Sequence, residues 1–260
     1  MLKRKHLFKN FEVIWRSMVT HFYAFVETQN VEDLHHLRIE IKKIFALAAL
    51  LEFSTDSFVF SECLKPLKAI FMKAGEIRNI QLALRAIMRY AGKKSSLYEV
   101  QQAILINLIN LFCLKTDLFA RKIKKVHESV LPKICDIENG SISSWFEKEL
   151  LAVEMFFAKK SSRENMHEGR KILKKLLYVY EILHKPIQDK LRLNKHYLNK
   201  LQEAIGKWHD ATVSMVILSR SNVACDETVK KLSDRKQKLS NLCCALSKSF
   251  SKESVTLVRL

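Results

Sequence analysis

Turn-forming residues are scarce in this chain. Among 260 residues there are five glycines and three prolines, too few for the many strands and hairpins of a β-rich fold. Long helices joined by short connections are expected instead. The abundance of Leu, Lys, Ala, Glu and Ile agrees, since most of these have good helix propensity. Acidic residues are also under-supplied: 27 Asp and Glu stand against 45 Lys and Arg, a formal charge of +18. Such an excess repels itself unless an anionic partner is near, whether nucleic acid, an anionic membrane surface or another polyanion. No run of 18 apolar residues occurs, so no membrane span is expected. None of the six cysteines makes a C-x-x-C pair, and most sit in apolar helical stretches. They read as reduced thiols in the core of a cytoplasmic protein. The start, MLKRKHLFKNFEVIW, is basic but lacks the apolar segment and cleavage pattern of a secretory signal.

Hydrophobic periodicity predicts helices near 5–27, 31–53, 59–74, 76–91, 97–128, 144–158, 162–184, 190–205, 207–221 and 227–249. Asn30 is placed as an N-cap. Ser96 with Glu99, Ser144 with Glu147 and Ser161 with Glu164 fit the capping box, in which two side chains satisfy free amides at a helix start. The clearest break is LPKICDIENGSIS, residues 131–143.

Two separated segments recur at nearly one offset. LHHLRIEIKKIFALAAL aligns with MHEGRKILKKLLYVYEI, setting His35 on His167, Arg38 on Arg170, Lys42 on Lys174 and Lys43 on Lys175, 132 residues apart. LKAIFMKAGEIRNIQLAL aligns with LNKLQEAIGKWHDATVSM, setting Gly75 on Gly206, Arg78 on His209 and Asn79 on Asp210, 131 residues apart. The chain therefore reads as one domain, 1–260, made of two copies of a helical unit, about 1–130 and about 140–260.

Each His-containing helix carries its charge on one side. With His35 at zero, Arg38 falls at about 300°, Lys42 at about 340° and Lys43 at about 80°, opposite an apolar arc of Leu34, Leu37, Ile41, Ile44 and Leu47. His167, Arg170, Lys171, Lys174 and Lys175 repeat the pattern against Met166, Leu173 and Leu176. A solvated helix face mixes both signs to avoid repulsion at i, i+4. These arcs are almost purely cationic, with Glu40 and Glu168 at their edges, which points to a polyanion site.

The residues that carry this pattern resemble the CHAD family (conserved histidine α-helical domain). The likeness rests on H-x-L-R-I-x-I-K-K from His35 and its second copy from His167. It also rests on the Gly-Glu-x-Arg-Asn and Gly-x-x-His-Asp motifs at Gly75 and Gly206, and on Tyr178 with Glu181. It spans nearly the whole chain. The resemblance implies an all-α fold, two pseudo-symmetric helical-bundle halves packed around a basic central channel. It also implies binding of inorganic polyphosphate without catalysis, with no cofactor or metal. Carried over by position, the binding residues are His35, Arg38, Lys42, Lys43, Arg78, His167, Arg170, Lys171, Lys174, Lys175 and His209. The sequence departs from the family at Asn79, where Asp is usual, at Phe45 and Leu177, where Arg is common, and at Gly169, a glycine at an apolar helix position.

Elementary chemistry agrees with that ligand. Polyphosphate has repeated charge and no bases, so its reader needs spaced cations and no stacking platforms; the arcs hold no aromatic residue. Arg supplies forked donors and Lys a mobile charge. His35 and His167 are expected to donate to phosphate and to strengthen binding as pH falls through about 6.5. Arg78 and His209 are expected at helix starts, Gly75 and Gly206 at tight turns or close helix approaches, and Asp210 as an orienting carboxylate. Phe45 and Leu177 fall at the border between the two arcs.

Three other readings compete. His167, the His209–Asp210 pair and Asp234 follow the residue order of HD-type metal phosphohydrolases. The first copy has Arg78–Asn79 in the corresponding place, and cationic surroundings repel a metal. A nucleic-acid backbone binder would use the same arcs, and a helical interaction scaffold would bind no polyanion at physiological salt. The expected location is the cytoplasm; association with polyphosphate granules stays open.

Overall fold

The computed structural model describes residues 1–55, 59–90, 92–93, 95–158, 163–219 and 226–255. Among them the fold is all-α, with only two isolated β-bridges. In chain order the helices are α1 (Arg4–Thr28), α2 (Val31–Ser54), α3 (Phe60–Cys63), α4 (Lys65–Tyr90), α5 (Ser96–Cys113), α6 (Thr116–Val130), α7 (Asn139–Ala158), α8 (Arg163–Ile182), α9 (Lys185–Leu191), α10 (Lys195–Ser219), α11 (Asp226–Lys248) and α12 (Phe250–Glu253). No single helix among the described residues is long and apolar enough to cross a membrane.

The packing order of the first helices recurs in the later ones. α1 lies on α2, α2 on α4 and α4 on α5; likewise α7 lies on α8, α8 on α10 and α10 on α11. The two sets meet where α2 packs on α8 and α4 on α10. One apolar cluster runs through both sets. α2 is central to it: Leu34, Leu37, Ile41, Ile44, Leu47 and Leu51 are all buried. They recur at the three- and four-residue spacing that places side chains on one helix face.

Local chemistry explains most boundaries. The Asn30 side chain accepts the Glu32 amide at 3.0 Å, the expected N-cap of α2. α1 has no cap of its own; Asp136 supplies one from across the molecule, accepting the Arg4 amide at 2.6 Å beside the Leu2–Ile137 bridge. α5 is capped by Ser95, which accepts from the Tyr98 amide, one residue before the expected Ser96. α7 begins at Asn139, so Ser144 and Glu147 lie inside it and form no terminal box. Ser161 lies outside the described residues.

Three expectations are corrected. Gly75 and Gly206 do not divide helices: α4 and α10 run unbroken through them. Arg78 and His209 accordingly sit in mid-helix. Residues 97–128, read as one helix, bend by 57° between α5 and α6. There the Lys115 amide bonds three residues back to Phe112, and the Thr116 hydroxyl donates to the Cys113 carbonyl at 2.6 Å. Such side-chain competition for a helical carbonyl favours a bend.

Truncating the centre of α2 tests this packing. Leu37→Ala, at a fully buried position, is expected to lower the unfolding free energy by about 2–5 kcal/mol, read from urea denaturation curves.

Candidate functional site

The two cationic arcs face each other. Packing α2 on α8 brings Lys42, with Arg38 beside it, within electrostatic reach of Arg170 and Lys174. Burial and this crowding act in one direction. Desolvation first, then Lys174, Arg38 and Arg170, bring the Lys42 ammonium down to about 7. Desolvation and Arg170 bring Lys174 to about 8. Among the described residues, none of these four cations forms an ion pair. Asp210 on α10 is the acid whose field reaches Lys42, Arg170 and Lys174 alike, and Arg78 as well. Its Oδ1 lies 3.7 Å from His209 Nδ1.

The arginines show what the glycines are for. Arg38 lies over the Phe71 ring at 3.9 Å and donates through Nη1 to the Phe71 carbonyl on α4. Arg170 donates through Nε to the Gln202 carbonyl on α10 at 3.1 Å. Each carbonyl belongs to the residue four positions before a glycine. A Cβ on Gly75 would come within 2.7 Å of Arg38 Nη1, and one on Gly206 within 2.6 Å of Arg170 Nη2. The missing side chains let each guanidinium lie against a helix backbone. Each arginine keeps further N–H groups, since the guanidinium carries five donors. The departure at Gly169 has a similar cause: a Cβ there would meet the Phe157 ring at 2.6 Å.

The histidines are shielded. His35 is half-buried beside Arg78 and Glu32; desolvation, then Arg78, pushes its pKa to about 4. His167 stacks on His209 with ring centroids 4.5 Å apart, and desolvation, then His209, pushes it to about 4. His167 Nδ1 is buried without a hydrogen-bond partner among the described residues. Both rings are therefore neutral near pH 6.5, which corrects the expectation that they titrate there. A neutral ring still has one N–H to donate.

The remaining expected residues divide. Arg78 belongs to a network at the N-terminal end of α2: it donates to Gln81 Oε1 and lies 3.8 Å from Glu32, which also pairs with Arg85. Lys43, Lys171 and Lys175 already have carboxylate partners: Glu40 at 2.9 Å, Glu168 at 2.6 Å and Glu149 at 2.5 Å. They stand outside the uncompensated group. Leu177 is only 5% exposed in the core. Phe45 packs edge-on against Phe71. Both lie on the apolar side of the border assigned to them. Aromatic rings do occur beneath the cations, as Phe71 under Arg38 and Tyr178 with Lys174 Nζ at 5.9 Å, but both rings are partly buried.

Sequence reasoning missed a neighbouring basic cavity of about 200 Å³ between α4, α10 and α11. Arg85, Arg89, Lys207 and Arg235 line it, with Asp210 and Ser214. Arg78, Arg85 and Arg89 follow one another at spacings of seven and four, which share a helix face; that signal was readable. Among the described residues no three His, Cys, Asp or Glu side chains gather into a metal-holding group, and Asp234 is exposed on α11.

Fold and site together define an all-helical domain with a cluster of under-compensated cations where its central helices meet. A family model described as CHAD domain matches residues 116–219, so the likeness read from the motifs stands. The fold is similar to the crystal structure of the CHAD domain from the plant Ricinus communis, with a TM-score of 0.69 at 12% identity, covering 96% of this chain and 92% of that one. It is also similar to PptA from Streptomyces chartreusis, with a TM-score of 0.61 at 13% identity, covering 97% and 99%. No curated protein sequence matches the chain.

The arginine seats give a test with a sign change. Alanine is normally about 0.5–1 kcal/mol better than glycine inside a helix. Gly75→Ala should gain that amount in an Arg38→Ala background and lose it, or destabilise, beside the native Arg38. The measurement is a double-mutant cycle by chemical denaturation, and Gly206 with Arg170 should behave alike.

Proposed function

We propose that this protein binds inorganic polyphosphate in the basic groove between α2 and α8, without hydrolysing it. The observation that carries the reading is the group Arg38, Lys42, Arg170 and Lys174. They are partly buried and gather around Lys42, and Lys42, Arg170 and Lys174 share Asp210 as a counter-charge. Burying like charges without partners is unfavourable. A linear polyanion removes that penalty along the whole row. His35 and His167 supply neutral N–H donors at its edge, His209 stacks on His167, and Arg78 marks the line toward the cavity of Arg85, Arg89, Lys207 and Arg235. In this reading Lys43, Lys171 and Lys175 contribute field rather than contacts. The two copies of the helical unit, about 1–130 and about 140–260, each contribute one wall, and the site of action is the cytoplasm. The buried setting of Phe71 and Tyr178 favours phosphate chains over bases that need an exposed ring.

Polyphosphate should therefore outcompete single-stranded DNA at equal charge and physiological salt. Lys42→Met and Lys174→Met should each weaken binding and make its salt dependence shallower by ~0.7, the single-strand value per phosphate contact. Competition titrations across a salt series read both effects. Equal displacement by DNA would turn the assignment toward nucleic-acid backbones. Phosphate release with Mg²⁺ or Mn²⁺ that Asp210→Ala abolishes would turn it toward hydrolysis.

The lysines also set a pH dependence. A bound polyanion favours their charged form, so binding takes up protons above the free-state values of about 7 and about 8. Affinity should rise as pH falls from the ordinary lysine range to about 7, and Lys42→Met with Lys174→Met should remove most of that rise. For the free protein the unfolded chain holds more protons over the same window, so these lysines make stability increase with pH there. Titration calorimetry in buffers of different ionisation enthalpy measures the uptake. Affinity that is flat down to pH 7 and climbs only below 6.5 would return the pH response to the histidines.

A further inference from the structure

α5 carries two largely apolar stripes, one buried and one exposed. Leu97, Gln101, Leu105, Ile109 and Phe112 are buried, and the helix packs chiefly on α4. The other stripe carries Val100, Ile104, Asn107 and Leu111, ending at the cap residue Leu114, and all five are exposed. Leu114 is 81% exposed. Their spacing alternates four, three, four, three. That is the heptad seam by which one helix receives another, not the wider stripe of a helix facing a core.

Charge identifies the occupant. From Leu97 to Leu114 the only charged residue is Glu99, in a chain of net charge +18. Two copies of so basic a protein repel each other over most of their surface, and this uncharged strip is a place where they can touch. The strip is also symmetric in register: Asn107 lies midway between Val100 and Leu114. A two-fold pairing of α5 on α5 sets Asn107 beside its counterpart, and a polar residue within an apolar seam fixes register. Beyond the seam α6 turns basic, with Lys115, Arg121, Lys122, Lys124 and Lys125. Antiparallel pairing sends the two α6 helices to opposite ends and keeps these charges apart. An interfacial membrane helix instead carries Lys and Arg along its polar face, whereas the polar positions of α5 outside the seam include Glu99, Gln102 and Asn110.

We propose that the exposed face of α5 is a homodimer seam, on which a second copy of this chain docks antiparallel through Val100, Ile104, Asn107, Leu111 and Leu114. Its test is independent of polyphosphate and uses the full chain without that ligand. Sedimentation equilibrium over a concentration series should give a monomer–dimer equilibrium that strengthens with added salt, because salt screens the repulsion. That is the opposite of the salt response of polyanion binding. Leu111→Glu and Leu114→Glu should each weaken dimerisation by at least ~tenfold, with unchanged circular dichroism and melting. Asn107→Leu should strengthen it. A wild-type chain that stays monomeric at high salt overturns the proposal. So does a monomer that binds phosphatidylcholine–phosphatidylserine vesicles and is released from them by Leu114→Glu, which assigns the strip to a bilayer. A dimer indifferent to Leu111→Glu and Leu114→Glu places the interface elsewhere and also overturns it.

Discussion

Two arginines lying against two helix backbones hold this site together. Arg38 and Arg170 each reach from the cationic helix to a carbonyl on the next one, and each is admitted only because a glycine presents no Cβ. Helix axes normally stand 8–10 Å apart, as their side chains dictate. Here the spacers between α2 and α4, and between α8 and α10, include guanidinium groups that the proposed function also uses as ligand donors. Fold and site are therefore not separable at these positions. The bond that orients each arginine toward its helix also fixes where its remaining N–H groups point.

Those two seats explain the electrostatics around them. With Arg38 and Arg170 fixed, Lys42 and Lys174 have like charges beside them and limited room to reach water. The lysines respond as buried cations do, by losing affinity for their protons. The histidines do so further, reaching about 4. At neutral pH the free domain thus carries less charge at its centre than its formula suggests. A bound polyanion of the kind proposed would restore the ammonium protons and gain attraction as it did so. The free protein therefore holds its basic centre partly discharged.

Much of this was legible from residue order. The His–Arg–Lys rows, their repetition and the acids confined to helix starts all follow from a periodicity that the helices then obey. Two errors have one source, the use of glycine as a punctuation mark. Gly75 and Gly206 lie in the middle of helices whose buried rows continue through them, Ala74 to Ile77 and Ile205 to Trp208. Their purpose is contact with an arginine more than thirty residues away, which no local pattern encodes. The bend after Cys113 was invisible for a related reason. Leu114 and Leu118 extend an apolar rhythm that suits a continuous helix, although they face outward. Depth was the other illegible quantity. A helical wheel gives direction, not distance from water, so it placed His35 and His167 correctly on the arc and misjudged their titration.

The paired lysines show how fine the division of labour is. Lys42 and Lys43 are neighbours, as are Lys174 and Lys175, and neighbours on a helix point about 100° apart. That angle sends Lys43 to Glu40 and Lys175 to Glu149, carboxylates that are themselves nearly buried. It sends Lys42 and Lys174 toward each other, where they form no ion pair among the described residues. One lysine of each pair therefore completes a packed ion pair whose removal leaves a buried carboxylate unsatisfied, a structural loss. The other carries charge that the fold leaves uncompensated. The net charge of +18 does not distinguish them. What defines the site is the set of cations whose carboxylates are missing, and a partner that supplies anions at regular spacing fits that set.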